Sequence, residues 1–201
     1  APGNRGKVRV SQNPEPLRGN DMHLSSFKDC SMDLKQLTPE VEKLGLFFNE
    51  FNKESDRGAV LLAASMLDES LFEIIDSLLI SNKSAKELIS GFNAPLSTFS
   101  ARLKAAHALG LIMDHEFDEI DLIRKIRNEF GHGWRDISFE NPKIKKALDK
   151  LPWLGPDDVT QSPKAKFSFA VSILLVDLMY RARLVKKERM LPKVWGHRSR
   201  G

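Results

Sequence analysis

Cysteine is almost absent from this chain, whose 201 residues include a single one, Cys30. One cysteine cannot form an internal disulfide, and no cysteine pair or histidine-cysteine cluster has the spacing of a structural zinc site. A chain of this length can bury a core without such cross-links. The sequence therefore predicts one large domain in a reducing compartment, with no metal ion and no cofactor.

Long apolar runs are missing as well. The most apolar stretch, residues 167–180, is interrupted by Asp177 and is too short to cross a bilayer. The N-terminus lacks the apolar core of a signal peptide. These absences predict a cytoplasmic protein that does not enter a membrane.

The sequence has no glycine-rich phosphate loop, no dinucleotide-binding fingerprint and no nucleophile elbow, so nothing in it is typical of nucleotide-driven chemistry. Strand-like alternation, internal repeats and sustained heptads are also absent. What the chain does contain is apolar residues at helical spacing. This pattern predicts an all-α fold, a single helical-bundle domain with long central helices.

Apolar periodicity and capping residues together predict the helices. They are a helix that starts at Thr38 and Pro39, a long central helix after Asp56, a short one over 84–89, one over 96–109 that ends at Gly110, one from Asp114 to the glycines around His132, a short one over 142–148, and a last long one over 162–190.

The two ends of the chain differ from this helical middle. Residues 1–36 mix glycine, proline and charged residues without apolar periodicity, which predicts a flexible N-terminal arm. The helical domain is predicted over 37–190, with a basic tail over 191–201. The net charge is +4, and its excess lies at the ends. Basic ends attract polyanions, but ordinary solvated termini look the same, so both interpretations stay open.

A polar cluster occupies the end of the helix that begins at Asp114. Arg124, Arg127 and Asn128 share its polar side, and glycines flank His132 directly afterwards. A break at these glycines would let the histidine turn back toward the helix end. An imidazole that exchanges protons near neutral pH, beside a guanidinium that holds a phosphate oxygen, is a minimal set for phosphodiester cleavage.

In that chemistry RNA supplies its own 2′-hydroxyl nucleophile, and no metal is needed. His132 would act as general base or acid, Arg127 would stabilise the charge of the transition state, and Asn128 would orient one of them. Arg124 and Trp134 would bind the nucleic acid, Trp134 by stacking on a base, although the structural interpretation of Trp134 is that it covers the core. A structural interpretation stands beside this one, since Arg and His in a last helical turn also stabilise the helix dipole.

Other polar residues are expected to be structural. Arg102 and His107 repeat the Arg-to-His spacing inside a predicted helix, so spacing alone proves little. His107 is expected to be a packed or surface histidine. Asp68, Glu69 and Glu73 on the central helix are expected to form a solvated edge, although one of them could face His132.

Two family resemblances concern the same region of the chain. The stretch Arg127-Asn128-Glu129-Phe130-Gly131-His132 resembles the signature of HEPN domains. The longer stretch over 95–133, with Ser100-Ala101-Arg102-Leu103-Lys104 and Leu109-Gly110-Leu111-Ile112, resembles the mannitol operon repressor family, and this likeness extends more weakly from about residue 44 through the final helix.

The two resemblances imply different functions. The HEPN likeness implies a metal-independent endoribonuclease of the toxin or defence type, with two protomers joining their Arg/His helices in a homodimer. The repressor likeness implies transcriptional regulation, although no DNA-reading helix-turn-helix is visible. The first hypothesis is therefore cleavage of RNA through Arg127, Asn128 and His132.

The alternative is a noncatalytic regulator that acts through a protein partner or DNA. Direct DNA binding would rely on the basic segment over 181–200. The RNA substrate, the partner and an antitoxin all remain open.

Overall fold

The computed structural model describes residues 38–132, 137–158 and 160–196, and within these ranges the regular structure is entirely helical. The helices are α1 (Pro39–Phe51), α2 (Asp56–Leu78), α3 (Lys83–Ile89), α4 (Phe99–Ala108), α5 (Asp114–His132), α6 (Pro142–Leu148), α7 (Pro163–Met179) and α8 (Arg181–Val185), followed by a 3₁₀ turn at Lys186–Glu188. The predicted all-α fold is confirmed.

Helix α2 is the centre of the bundle. It packs against α1, α3, α4, α5, α7 and α8. Leu67, Leu71 and Ile75 are fully buried, as an apolar stripe at helical spacing requires. Ser55 caps the helix by accepting a hydrogen bond from the Gly58 amide. The central position predicted for this helix is therefore correct.

A chain of aromatic rings closes the end of the bundle where α5 stops. Phe130 packs on Phe139 with ring centroids 5.6 Å apart, and Phe139 packs on Phe167 of α7 at 5.1 Å. Phe51 at the end of α1 completes the row at 6.5 Å from Phe167. The Phe139 amide donates to Asp56 Oδ2, which fixes this loop against the start of α2. These contacts hold the last turns of α5 against α1 and α7.

The turn between α4 and α5 follows the predicted left-handed cap. Gly110 has φ +68, its amide bonds to the His107 carbonyl, and the Leu111 amide reaches back to Ala106. Helix α4 begins at Phe99, three residues later than predicted, because the Thr98 side chain caps it by accepting from the Ala101 amide. This cap leaves residues 96–98 outside the helix.

Two other predicted helix features are wrong. Thr38 does not cap α1 with its side chain, because its hydroxyl is hydrogen-bonded to the Tyr180 hydroxyl at 3.2 Å. The last long helix is interrupted at Tyr180, which has φ −100 and ψ 0 and separates α7 from α8. No glycine or proline marks this position, so the break has a tertiary cause.

An ion pair between the buried Glu116 and Arg181 lies directly after the break. Glu116 is fully buried, and its Oε1 lies 2.7 Å from Arg181 Nη2. Its Oε2 also accepts the Met113 amide at the start of α5, and Arg181 Nη1 donates to the Leu111 carbonyl. One pair therefore joins the α4–α5 turn, the start of α5 and the start of α8.

The basic segment near the C-terminus also takes part in the fold. Arg189 donates from Nε to the Leu79 carbonyl and from Nη2 to the Asp76 carbonyl, so it satisfies the end of α2. Arg181 and Arg189 are thus engaged within the domain, so the guanidinium donors of both and the charge of Arg181 are used inside the segment that direct DNA binding was expected to use.

The predicted flexible arm over 1–36 lies outside the described residues. The tail is described only as far as Gly196, and there Trp195 is exposed with the Lys193 ammonium 5.9 Å from its ring centroid. The proposed limits of the domain at residues 37 and 190 stay predictions.

We predict that Arg181→Met lowers the free energy of unfolding by about 3–5 kcal/mol, because it leaves the Glu116 carboxylate buried without its counter-charge. Urea denaturation followed by circular dichroism measures the loss. Arg183→Met is the matched control, since Arg183 lies two residues away and is exposed, with Glu40 at 3.6 Å and the centroid of the Tyr180 ring at 4.6 Å. Equal losses of unfolding free energy in the two variants would show that the buried ion pair stabilises the fold no more than the exposed one.

Candidate functional site: a groove between three helices

A groove of about 370 Å³ lies where α2, the start of α4 and the second half of α5 meet. Ser65 and Asp68 come from α2, and Arg124, Arg127 and Asn128 come from α5. The remaining lining residues are Ala64, Thr98, Phe99 and Ser100. Three of the five predicted site residues therefore line one surface.

The α5 residues share this surface because of their spacing. Arg124, Arg127 and Asn128 lie three and four positions apart, which places them on one side of a helix. The opposite side carries Ile120, Ile123 and Ile126, which are buried in the core. The pairing of Glu116 with Arg181 at the start of α5 fixes the rotation of the helix that directs the polar side toward α2 and α4.

Arg124 is held by its own helix. Its Nε and Nη2 lie 2.9 and 2.7 Å from Asp121 Oδ1, and Lys125 reaches Asp121 Oδ2 at 2.7 Å. Burial raises the pKa of Asp121, but hydrogen bonds and charge interactions with Lys125 and Arg124 outweigh it, so this pKa lies below its ordinary value. Asp121 is therefore ionised at neutral pH and largely offsets the charge of Arg124.

Another wall of the groove contains an ion pair between Asp68 of α2 and Arg102 of α4. Arg102 Nη1 donates to Asp68 Oδ2 at 2.9 Å, its Nε donates to the Leu96 carbonyl, and its guanidinium carbon lies 5.1 Å from the centroid of Phe72. Asp68 is thus not the solvated edge that the sequence predicts. Its Oδ1 is buried and has no hydrogen-bond partner within the described part of the chain. Glu69 and Glu73 do face solvent, where both pair with Lys43.

Arg127 differs from these two arginines. Its Nη1 donates to the Asn128 Oδ1 at 3.3 Å, and no carboxylate among the described residues pairs with it. Because Arg102 is paired with Asp68 and Arg124 with Asp121, Arg127 leaves the groove with an excess of one positive charge. The Asn128 oxygen accepts from Arg127, so the amide nitrogen of Asn128 is directed elsewhere as a donor.

His132 does not join this groove. The helix end predicted at the glycines around His132 agrees with the structure, since α5 includes Gly131 and ends at His132. Five residues of helix separate the directions of Arg127 and His132 by about 140° around the axis. His132 is exposed and is not among the groove residues. Trp134, the proposed stacking residue, lies outside the described residues.

His107 is structural, as the sequence predicts. Its Nε2 lies 2.8 Å from Asp114 Oδ1, and its ring stacks on Phe117 with centroids 4.3 Å apart. Within the described ranges no group of histidine, cysteine and acidic residues could hold a metal ion. In the same ranges no helix has the length and apolar character needed to span a membrane.

A family model described as Mannitol repressor matches residues 51–191, well over half of the chain. The chain belongs to the mannitol repressor family. The match runs from the end of α1 to beyond the 3₁₀ turn, so it includes every residue that lines the groove. The resemblance to this family that the sequence carries over 95–133 is confirmed, whereas the HEPN resemblance gains no support.

The fold of the mannitol repressor family also appears in a solved structure, the X-ray structure of the MtlR-HPr complex from Escherichia coli. The matched chain is 18% identical, the TM-score is 0.50, and the match covers 71% of this chain and 98% of that one. At this identity the likeness shows the fold alone. No curated protein matches the chain.

The endoribonuclease hypothesis is therefore wrong. The family match assigns the chain to mannitol repressors, which agrees with the alternative drawn from the sequence. Because α5 stays helical as far as its last residue, His132, the side chains of Arg127 and His132 point in different directions around the helix axis. RNA as a partner and catalysis by Arg127, Asn128 and His132 have no further support.

The sequence could not locate Ser65, Asp68, Thr98, Phe99 and Ser100 at this groove, because they lie far from α5 along the chain. The one available signal was the stretch over 100–104, which the family resemblance included and which contains Arg102.

We predict that Gly131→Ala raises the free energy of unfolding by about 0.5–1 kcal/mol, since alanine is favoured over glycine inside a helix and the added Cβ meets nothing within 4 Å. Gly110→Ala is the control, and it should cost about 1 kcal/mol because of its positive φ. Thermal unfolding measures both. A loss at Gly131 as large as that at Gly110 would contradict a continuous helix through His132.

Proposed function

We propose that this chain is a noncatalytic, cytoplasmic transcriptional regulator that acts through a protein partner. The observation that supports it most is the match of the mannitol repressor family over residues 51–191. The absence of His132 from the residues that line the groove is consistent with this proposal. A regulator of this kind requires binding surfaces but no catalytic arrangement of side chains.

The partner proposed is a protein of the HPr type. The Escherichia coli structure that shares this fold was solved as a complex with HPr. Direct duplex recognition is the weaker alternative, because Arg181 and Arg189 of the basic segment are engaged in the fold. The homodimer expected from the sequence stays a prediction, which light scattering of the free chain tests.

Helix α7 supplies the surface for this partner. Its charged residues are Lys164, Lys166 and Asp177 alone, so the helix is apolar on nearly every side. A helix of this kind is usually covered all round. Yet Ile173 and Val176, one turn apart on its outer face, are 40% and 47% exposed.

Single exposed apolar side chains are common, and we propose that this pair, one turn apart on one helix face, is the centre of the contact with the partner. Both residues lie inside the segment that the family shares. Leu46 on α1 is 63% exposed but lies outside that segment, which makes it a suitable control.

We predict saturable binding of purified HPr to the full chain in isothermal titration calorimetry. Ile173→Asp should weaken it at least about tenfold, because a carboxylate at the centre of an apolar contact loses its water. Leu46→Asp should leave the affinity within about twofold, and so should His132→Ala. Circular dichroism of each variant checks that it is folded.

Each outcome has a defined meaning. Absence of binding to HPr from Escherichia coli and to HPr from the chain's own source would overturn the proposed partner. Loss in Leu46→Asp but not in Ile173→Asp would keep the partner and reject α7 as its surface. Loss in His132→Ala would return the end of α5 to the functional site.

A further inference from the structure

The groove between α2, α4 and α5 has features that a protein-binding face does not explain. It is concave, it is separate from the exposed pair on α7, and polar donors from three helices converge in it. We propose that this groove binds a small phosphate monoester, with Arg127 and Asn128 as its principal ligands. The proposal does not depend on the HPr partner, since it concerns a different surface and is tested without that protein.

Charge is the first reason. The two flanking arginines are each offset by an aspartate, and Arg127 is bonded only to an amide within the described chain. Among the described lining residues the only carboxylate is Asp68, which is paired with Arg102, so the guanidinium of Arg127 attracts an anion, and its planar fork matches the oxygens of a phosphate. The pairing of Asp121 with Lys125 and Arg124 leaves that carboxylate occupied, so it does not compete for Arg127.

The donors around Arg127 are the second reason. The Asn128 amide nitrogen is a donor, because its oxygen is already directed to Arg127. The Ser65, Thr98 and Ser100 hydroxyls line the same groove, and Thr98 accepts the Ala101 amide, which leaves its proton to donate. Several donors beside one cation suit a group with three terminal oxygens better than a carboxylate with two.

Size and lining set the class of ligand. About 370 Å³ is near the lower limit of small-molecule sites and leaves room for a short group beyond the phosphate. Ala64 and Phe99 supply apolar wall for that group. A nucleic acid strand would need a longer cationic track, and the neighbouring arginines are already paired.

The groove is also preorganised. Asp68 is fixed by Arg102, Arg102 is fixed by the Leu96 carbonyl and Phe72, and Arg124 is fixed by Asp121. Only Arg127 and Asn128 would have to reorient to bind a ligand. A site with a rigid frame loses little conformational entropy on binding.

The experiment is an NMR titration of the ¹⁵N-labelled full chain with inorganic phosphate and with glycerol 1-phosphate, using glycerol as the uncharged control. We expect saturable shifts centred on the amides of Ser65, Ser100 and Asn128, and none with glycerol. Arg127→Gln should raise the Kd at least about tenfold, which matches the loss of a charge-assisted hydrogen bond. The spectrum of the variant confirms that it is folded.

Arg183→Gln is the matched control, because it removes the same charge from an exposed arginine outside the groove. It should keep the Kd within about twofold. Equal weakening in both variants, or no saturation in the wild type, would overturn the proposal by reducing it to a general charge effect. Much tighter binding of citrate would overturn the choice of phosphate, and much tighter binding of a single-stranded oligonucleotide through the same amides would overturn the choice of a small ligand.

Discussion

The fold depends on one buried ion pair, between Glu116 and Arg181. A fully buried carboxylate is costly unless it is matched, and here it is matched by a guanidinium that also bonds to the Leu111 carbonyl. The pair fixes three segments that are distant along the chain. Because α5 is held at its start, the direction of every residue further along that helix is determined, including the arginines of the groove.

The groove itself follows from how charges are paired around it. Each of two arginines lies against an aspartate, and these pairs form rigid walls rather than attractive patches. Within the part of the chain that the structure describes, Arg127 beside Asn128 is the groove arginine without a carboxylate partner. Pairing Arg102 and Arg124 with aspartates contributes to selectivity as much as leaving Arg127 without one does. A cluster of three unpaired arginines would attract any polyanion.

Local physical rules made much of the fold predictable. Proline at the start of α1 and α6, asparagine and serine caps, glycine with positive φ at residue 110 and the apolar stripe of α2 all act within a few residues. The same rules placed Arg124, Arg127 and Asn128 on one side. They could not show that Asp68 meets Arg102, since that contact joins α2 to α4. They also placed the end of α5 at the glycines around His132, where the helix does stop.

The interruption at Tyr180 shows that the conformation a segment favours by itself can differ from the one it has in the domain. Residues 163–185 contain no helix breaker after Pro163, so by themselves they favour one unbroken rod. The bend is favoured by groups that are distant along the chain: the Thr38 hydroxyl bonds to Tyr180, and the Glu116 carboxylate bonds to Arg181. The bend is therefore a property of the assembled domain, and a peptide of this segment alone is expected to favour a straight helix.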